Sequence, residues 1–222
     1  MPTHTDIIPF IRQAEGGISG HPSDSASAYP SPCGIDPKYN APIHTNKGVT
    51  WKTYEDYRGA SNVDCDEFIQ MSDGLWASIW KSKYWDQVNA GQIESQAIAN
   101  TYASWAYGSG VGGANSLMKK ALKRRYGYSD FDVNTLQKRI AILNKEAKQD
   151  EIQLFNLLAE EREIFYKSLS TFPVFGEGWL SRLEKFKTYN RRHLRSVDDN
   201  TLIYLLIGFG VLSIATYFLV LR

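Results

Sequence analysis

The sequence has few of the residues that build metal sites or disulfide frameworks. Its 222 residues include two cysteines, Cys33 and Cys65, and four histidines that are scattered along the chain. No Cys or His cluster has the spacing of zinc ligands, so we expect no metal and no other cofactor. The two cysteines are compatible with a disulfide in an exported domain, and equally with two unpaired structural thiols.

The sequence also lacks an excess of charge of one sign. Lysine and arginine number 25, aspartate and glutamate 24, and the formal net charge is +1. This balance argues against a generic nucleic-acid binder, which would be strongly basic. The N-terminal segment has no basic start followed by a long apolar run, and therefore predicts no secretory signal peptide.

Long apolar runs are lacking except at one place, residues 201–221, which carry no charge. About 20 apolar residues span the hydrocarbon core of a bilayer, so we predict a C-terminal transmembrane helix with lipid as its partner. The alternative, a buried core helix, is disfavoured because such helices rarely lack a polar face. By the positive-inside rule, the basic residues that precede the run place the N-terminal part in the cytoplasm. They are Lys185, Lys187, Arg191, Arg192 and Arg195.

The remaining pattern predicts a mainly α fold. Apolar residues recur at three- and four-residue steps in several segments, the first of them over 5–15, where Gly16-Gly17 stops the helix. Residues 19–45 read as a long loop, and Thr50 is the expected N-cap of the next helix. No long strand alternation is present, so at most a small β-hairpin is expected within 18–50. Further helix ends are predicted at Gly108, Gly127, Pro173 and Gly176.

One short stretch, "QAEGGISGHPSD", places Glu15 at a helix end and Asp24 nine positions later. Glycoside hydrolysis needs a proton donor for the leaving oxygen and a second carboxylate that supports the transition state. A glutamate held on a packed helix suits the first role, because burial raises the pKa of a carboxyl group. Asp24 suits the second role, and Thr45 can orient a water molecule. A solvated last-turn glutamate and a turn-forming aspartate are the alternative interpretation.

An ordered set of motifs resembles the glycoside hydrolase family 108 muramidases, which are phage and bacterial lysozyme-like proteins with a C-terminal peptidoglycan-binding part. The motifs are "FIRQAEGG", "HTNKGVTWKTYED", "IWKSKYWDQV", "WAYGSG" and "FGEGWLSRLEKF". The resemblance implies that Glu15 is the catalytic acid. It also matches Thr45, Asn46 and Gly48 to the family's Thr-Asn element. Tyr84-Trp85 and the Gly178–Arg182 segment match later elements.

The sequence departs from the family pattern in the loop after Glu15, which is longer than the common Asp-Pro-Gly-Gly loop. The extra residues follow Asp24, so Asp24 keeps its expected role, whereas the geometry at Thr45 changes. For sugar binding we single out Tyr29, Asn46, Trp105 and Tyr107. Trp76 and Trp80, at helical spacing, are expected in the core.

These observations lead to one hypothesis and two alternatives. The first is a muramidase that cleaves the β-1,4 bond between N-acetylmuramic acid and N-acetylglucosamine, with peptidoglycan glycan strands as partner and no nucleic acid. Its expected parts are a lysozyme-like catalytic part (1–90), a helical peptidoglycan-binding part packed on it (91–196), and a single-pass anchor in the bacterial inner membrane (201–221). The retaining, inverting and lytic-transglycosylase outcomes stay open.

The first alternative is a non-catalytic, membrane-anchored wall-binding or assembly protein on a lysozyme-like fold, and the second is a cytoplasmic tail-anchored scaffold. The membrane orientation stays open as well, because the flanking charges point the domain inward whereas peptidoglycan lies outside the inner membrane.

Overall fold

The computed structural model describes residues 1–194, and this part of the chain is mainly helical, as predicted. The helices are α1 (His4–Ala14), α2 (Trp51–Arg58), α3 (Cys65–Ile69), α4 (Asp73–Trp80), α5 (Gln96–Tyr126), α6 (Asp130–Val133), α7 (Leu136–Lys167) and α8 (Phe172–Arg191). A π-helical turn, Lys81–Trp85, continues α4. The helical architecture agrees with the lysozyme-like fold that the resemblance implied.

Five strands of two residues each lie between α1 and α2. They are β1 (Ile18–Ser19), β2 (Ile35–Asp36), β3 (Ala41–Pro42), β4 (Thr45–Asn46) and β5 (Val49–Thr50). β1, β4 and β5 form an antiparallel sheet in the order β1-β4-β5, and β2 pairs with β3. The prediction of at most one hairpin was therefore wrong. Strands of two residues are too short to show the alternation that reveals a strand in a sequence.

The start of α2 follows from local side-chain chemistry. Thr50 is its N-cap, as predicted, and the Thr50 side chain accepts a hydrogen bond from the backbone N–H of Thr53 at 3.1 Å. This bond satisfies one of the donors that the first turn of a helix leaves unpaired. The cap places β5 and α2 in direct succession.

The long helices α5 and α7 are each interrupted by one residue with a non-helical backbone, Gly110 and Asp150. α5 runs through Gly108 and bends at Gly110, where φ is 70° and ψ is 159°, and it ends at Gly127 as expected. The predicted helix end at Pro173 and Gly176 was wrong in position. The break lies before Phe172, and Pro173 sits in the first turn of α8, where its missing N–H is harmless. Gly176 is buried inside α8.

One continuous hydrophobic core joins the first helix to the last. It includes Ile7 and Phe10 of α1, the central helix α5, and Phe186 of α8. Trp76 and Trp80 are fully buried in this core, as expected. The core thus extends across residue 90, where the sequence analysis placed the boundary between the catalytic and the peptidoglycan-binding parts; that boundary stays a prediction. Because the core is shared, side chains of α8 reach the end of α1.

The loop between β1 and β4 is held by a buried carboxylate and a disulfide. Asp36 accepts hydrogen bonds from the backbone N–H of Gly20 at 2.8 Å and of Lys38 at 2.9 Å, and these bonds lower the pKa of Asp36. Cys33 is disulfide-bonded to Cys65 at the start of α3. Of the two states left open for the cysteines, the structure shows the paired one.

Within residues 1–194, no helix is both long and apolar enough to cross a membrane. The predicted transmembrane segment, residues 201–221, lies outside the described residues and stays a prediction.

Candidate active site

Glu15 lies at the C-terminal end of α1, where the chain leaves the helix. Its backbone is extended, with φ of −97° and ψ of 136°, and its N–H donates to the carbonyl of Arg12 at 3.2 Å. The following glycines are exposed, whereas the Glu15 side chain is only 13% exposed. The end of α1 therefore turns the carboxyl group inward while the backbone beside it stays open.

The tight turn between β4 and β5 packs against this carboxyl group. Lys47 and Gly48 form a two-residue turn with φ of 48° and 74°, the positive values that a hairpin of this length needs. The Lys47 N–H donates to the carbonyl of Gly17 at 3.1 Å, which ties the turn to the chain just after Glu15. A Cβ atom on Gly48 would overlap both the Glu15 carboxylate and the Tyr107 hydroxyl. Only glycine fits here.

Two aromatic side chains hold the same turn through hydrogen bonds. The Trp76 Nε1–H donates to the Lys47 carbonyl at 2.9 Å, and the Tyr107 hydroxyl donates to it at 3.1 Å. These two bonds hold the turn that packs against the Glu15 carboxyl group.

The surroundings of Glu15 change the pKa of its carboxyl group. Burial raises the pKa of Glu15, and the Arg182 guanidinium and the Tyr107 hydroxyl oppose this only in part. Arg182 Nη1 lies 3.3 Å from Glu15 Oε1. Tyr107 itself stays neutral, because burial raises its pKa well above the ordinary value. A carboxyl group with a raised pKa in a cleft is the arrangement that general acids use.

A cleft of about 1090 Å³ opens beside Glu15. It exceeds the range of about 300–1000 Å³ that is usual for small-ligand pockets. A second hollow of about 580 Å³ shares Ser19, Asp24 and Tyr39 with it and continues to Phe175 and Trp179 of α8. The cleft walls include Asp36, Lys38, Thr45, Gly48, Thr50, Thr53, Tyr84 and Tyr107. The two hollows together make a groove suited to an extended ligand.

Asp24 lines the same cleft but in a different setting. It is exposed and caps a 3-10 turn, Ser25–Ala28, in which its Oδ1 accepts from the backbone N–H of Ala26 at 3.0 Å. One carboxylate oxygen is thus used for the turn, and the other is available to the cleft. The structure brings Glu15 and Asp24 to one cleft, as the sequence predicted for a carboxylate pair.

Thr45 lines the cleft from β4, and its hydroxyl group is oriented by a histidine. His44 Nε2 lies 3.1 Å from the carbonyl of His21, which can only accept, so Nε2 carries a hydrogen. In the neutral ring, His44 Nδ1 then accepts from the Thr45 hydroxyl at 2.9 Å. The lone pairs of the Thr45 oxygen are left for a water molecule in the cleft.

The predicted sugar-binding residues separate into three groups. Tyr107 lines the cleft, whereas Tyr29 is 64% exposed on the loop and is not among the cleft residues. Asn46 is buried, and its Nδ2 donates to the carbonyls of Phe68 and Ile69 at the end of α3. Trp105 is also buried and lines a side pocket next to Glu15 rather than the main cleft.

Two site residues were not singled out from the sequence. Tyr84 lines the cleft, and its ring packs edge-on against Tyr107 with centroids 5.0 Å apart. Arg182 reaches Glu15 from α8, 167 positions away in the chain. Both fall within motifs that carried the family resemblance. A motif match shows that a position is shared, but not that its side chain faces the site.

Residues 8–110 match the model of the glycosyl hydrolase 108 family, as the resemblance predicted. The segment contains Glu15, Asp24 and the small sheet, and it ends at the bend of α5. A solved structure, "Structure of Brucella abortus SagA", is similar with a TM-score of 0.65 and 23% identity, over 87% of this chain and 97% of that one. At this identity the likeness shows a shared fold. No curated protein matches significantly.

The match to this family supports a glycoside hydrolase. Glu15, Asp24 and Thr45 line one cleft, which therefore carries two carboxyl groups and a hydroxyl group. Among residues 1–194, no group of three or more His, Cys, Asp or Glu side chains is placed to hold a metal ion.

Proposed function

We propose that this chain is a muramidase that cleaves the β-1,4 bond between N-acetylmuramic acid and N-acetylglucosamine in peptidoglycan. The observation that carries the proposal is the state of Glu15. Its carboxyl group is largely buried at the edge of an open groove, and burial raises its pKa. A carboxyl group with a raised pKa keeps its proton to a higher pH and can deliver it to a leaving oxygen.

In this mechanism Glu15 donates its proton to the oxygen that joins the two sugars. The bond between that oxygen and the anomeric carbon breaks, and positive charge develops on the sugar ring. Asp24 supports this charge directly or through a water molecule. Thr45 holds the water that attacks the anomeric carbon. One of the two carboxylates takes up the proton that this water loses, and proton exchange with solvent then restores the starting protonation of Glu15 and Asp24.

The experiment compares the full-length protein with Glu15→Gln on purified peptidoglycan. Glutamine keeps the size of the side chain and removes its proton. We expect new reducing ends from the wild type and none from the variant. Anhydromuropeptides as products would instead identify a lytic transglycosylase. Equal cleavage by both proteins would exclude Glu15 from the mechanism, and wall binding without cleavage by either would favour the wall-binding alternative.

We also propose that residues 201–221 anchor the protein in the inner membrane with the catalytic domain on its outer face. The Cys33–Cys65 disulfide supports this orientation, because disulfides form and persist in oxidising compartments. Peptidoglycan lies on that side. The test adds protease to intact spheroplasts. Digestion of the domain would support the outer location, and protection until lysis would support a domain held inside, as the flanking charges suggest.

A further inference from the structure

A side pocket of about 240 Å³ opens next to Glu15, and Asp24 is not part of its lining. α1, α5, α7 and α8 surround it, and it shares Glu15, Tyr107, Gly108 and Ser109 with the main cleft. Its volume is below the usual range for a pocket that holds a whole small ligand. Its size and position suit one substituent of a longer ligand that lies in the cleft.

A buried arginine forms part of this pocket and is incompletely paired. Arg162 of α7 is 5% exposed, and its Nε donates to the Tyr166 hydroxyl at 2.8 Å. Its Nη2 faces the carbonyl of Ser104 at 3.5 Å, and its Nη1 is buried with no hydrogen-bond partner. A Cβ atom at Gly108 would lie 2.6 Å from Nη2, so the glycine is what lets the guanidinium approach α5.

A second buried arginine in the described part of the chain shows the usual arrangement. Arg139 is 3% exposed, and each of its three side-chain nitrogens donates to an oxygen. The acceptors are Tyr102 at 3.0 Å, Val133 at 2.8 Å and Asn115 at 3.0 Å. An unpaired buried charge is strongly unfavourable, so structures pair it or place it where a ligand completes it. Arg162 fits the second case.

Other groups in the pocket also favour the binding of an anion. Ser109 Oγ is also buried without a partner, and Ser109 lines both the pocket and the cleft. No salt bridge involving Arg162 is found among residues 1–194, and the charged side chain that acts on it is Arg182, itself paired with Glu15. Arginine stays protonated even when burial lowers its pKa.

Aromatic rings form part of the pocket wall. Tyr166 stacks on Trp179 with ring centroids 5.4 Å apart, and the Arg162 guanidinium lies over the Trp105 ring at 5.8 Å. In such surroundings a hydrogen bond between a guanidinium and an anion is less weakened by water than on the surface. A planar, two-oxygen anion matches the guanidinium geometry best.

We propose that this pocket is a carboxylate subsite, in which Arg162 Nη1 and Ser109 Oγ bind a carboxylate of the muramic acid unit next to the bond that is cut. The proposal rests on the proposed function, because it takes the glycan strand as the ligand. Two sources have this chemistry: the lactyl carboxylate of a strand without stem peptide, and a carboxylate of the stem peptide itself. Binding there would hold the strand in register beside Glu15.

The test measures dissociation constants by tryptophan fluorescence, since Trp105 and Trp179 line the pocket. All proteins carry Glu15→Gln, so that no ligand is cleaved. The three probes are the N-acetylglucosamine–N-acetylmuramic acid disaccharide with a free lactyl group, the same disaccharide with its stem peptide, and chitobiose, which has neither carboxylate. The preferred disaccharide identifies the source of the carboxylate.

We expect a carboxylate-bearing disaccharide to bind roughly 10- to 100-fold more tightly than chitobiose, which corresponds to one charged hydrogen-bonded contact. Arg162→Gln and, independently, Ser109→Ala should reduce that preference. Lys185→Gln removes one exposed positive charge on α8 and should leave it unchanged. Circular dichroism checks folding, and Ser109→Ala keeps the test valid if Arg162→Gln does not fold.

Equal affinity for all three probes would overturn the subsite, as would a preference that neither variant alters. The failure of the proposed function looks different. If the protein with Glu15 intact leaves peptidoglycan uncut but the preference depends on Arg162, the muramidase proposal fails and the subsite stands. If the intact protein cuts peptidoglycan without any preference for carboxylates, the subsite alone fails.

Discussion

The two carboxylates of the cleft differ in almost every physical respect. Glu15 lies at the end of a helix that packs into the core, with an arginine, a tyrosine and a tight turn against it. Asp24 lies on an exposed loop, and half of its carboxylate caps a short turn. The difference shows how one cleft offers two carboxyl groups in unlike settings. In the proposed mechanism, burial raises the pKa of the group that must hold a proton, and exposure leaves the other group open to water.

The largest effect on the catalytic rate is expected from substitution of Glu15, the buried carboxyl group of the cleft. Glu15→Gln should lower kcat for peptidoglycan cleavage on the order of 10³-fold, or about 4 kcal/mol of barrier, because glutamine has no proton to give. Release of reducing ends is the measurement. A variant that kept more than a tenth of the activity would show that burial of Glu15 serves only the structure.

The same substitution should change stability in the opposite direction. Burial raises the folded-state pKa of Glu15 above its ordinary value near 4.5, so the folded state binds more protons than the unfolded state between these two pKa values. The wild type therefore loses stability as pH rises through that window, and Glu15→Gln does not. We expect a higher Tm for the variant at pH 7 and a smaller difference at pH 4. A variant that is less stable at pH 7 would contradict the desolvation argument.

Removal of the Cys33–Cys65 disulfide tests how the exposed loop that carries Asp24 is held in place. The Cys33–Cys65 bond closes a sequence separation of 32 residues and ties the Asp24 loop to α3. Chain entropy predicts about 3–4 kcal/mol of stabilisation for a loop of this size. The Cys33→Ser/Cys65→Ser protein should unfold at lower denaturant concentration.

If the disulfide holds the Asp24 loop but does not affect Glu15, the disulfide variant should also have a lower catalytic rate. The pH dependence of that rate, which Glu15 sets, should not shift. Reduction of the wild type should reproduce both effects. A shift of the pH profile would show that the disulfide also affects the surroundings of Glu15.

Asp24→Asn should have a smaller effect than Glu15→Gln. Asparagine is as good a helix cap as aspartate, so the turn at Ser25–Ala28 is kept and only the charge is lost. We expect kcat to fall about 10²-fold, or about 2.7 kcal/mol, with binding to the wall unchanged. A pull-down with purified peptidoglycan measures the binding. Unchanged turnover would remove Asp24 from the mechanism.

The smallest expected effect is a displacement of the pH profile by Arg182→Gln. The Arg182 guanidinium lowers the pKa of Glu15, so its removal should raise that pKa further. Activity falls as pH rises and Glu15 loses its proton, and this alkaline limb should move to higher pH in the variant. Lys185→Gln, on the same helix, is the matched control and should leave the limb in place.

Local signals in the sequence were enough for part of this site. The helix end at Gly16-Gly17 and the N-cap at Thr50 depend on neighbouring residues alone, and the structure has both features. Contacts between distant residues left no such signal. The sequence does not show that Arg182 reaches Glu15.

The same limit applies to the side chains of the small sheet and of α7. The sequence does not show that Asn46 faces the carbonyls of α3 rather than the cleft, or that Arg162 lacks a partner. Strands of two residues carry no periodicity, so the small sheet was also underestimated.

The lack of space at Gly48 has a practical consequence for anyone who wishes to use this groove without its chemistry. One added methyl group would occupy the position of the Glu15 carboxylate and would strain a turn that needs positive φ. Gly48→Ala is therefore a way to displace the acid while every charged residue of the groove is retained. On the proposed function, such a chain attached to a fluorophore is expected to bind the glycan strands of bacterial walls and to leave them uncut.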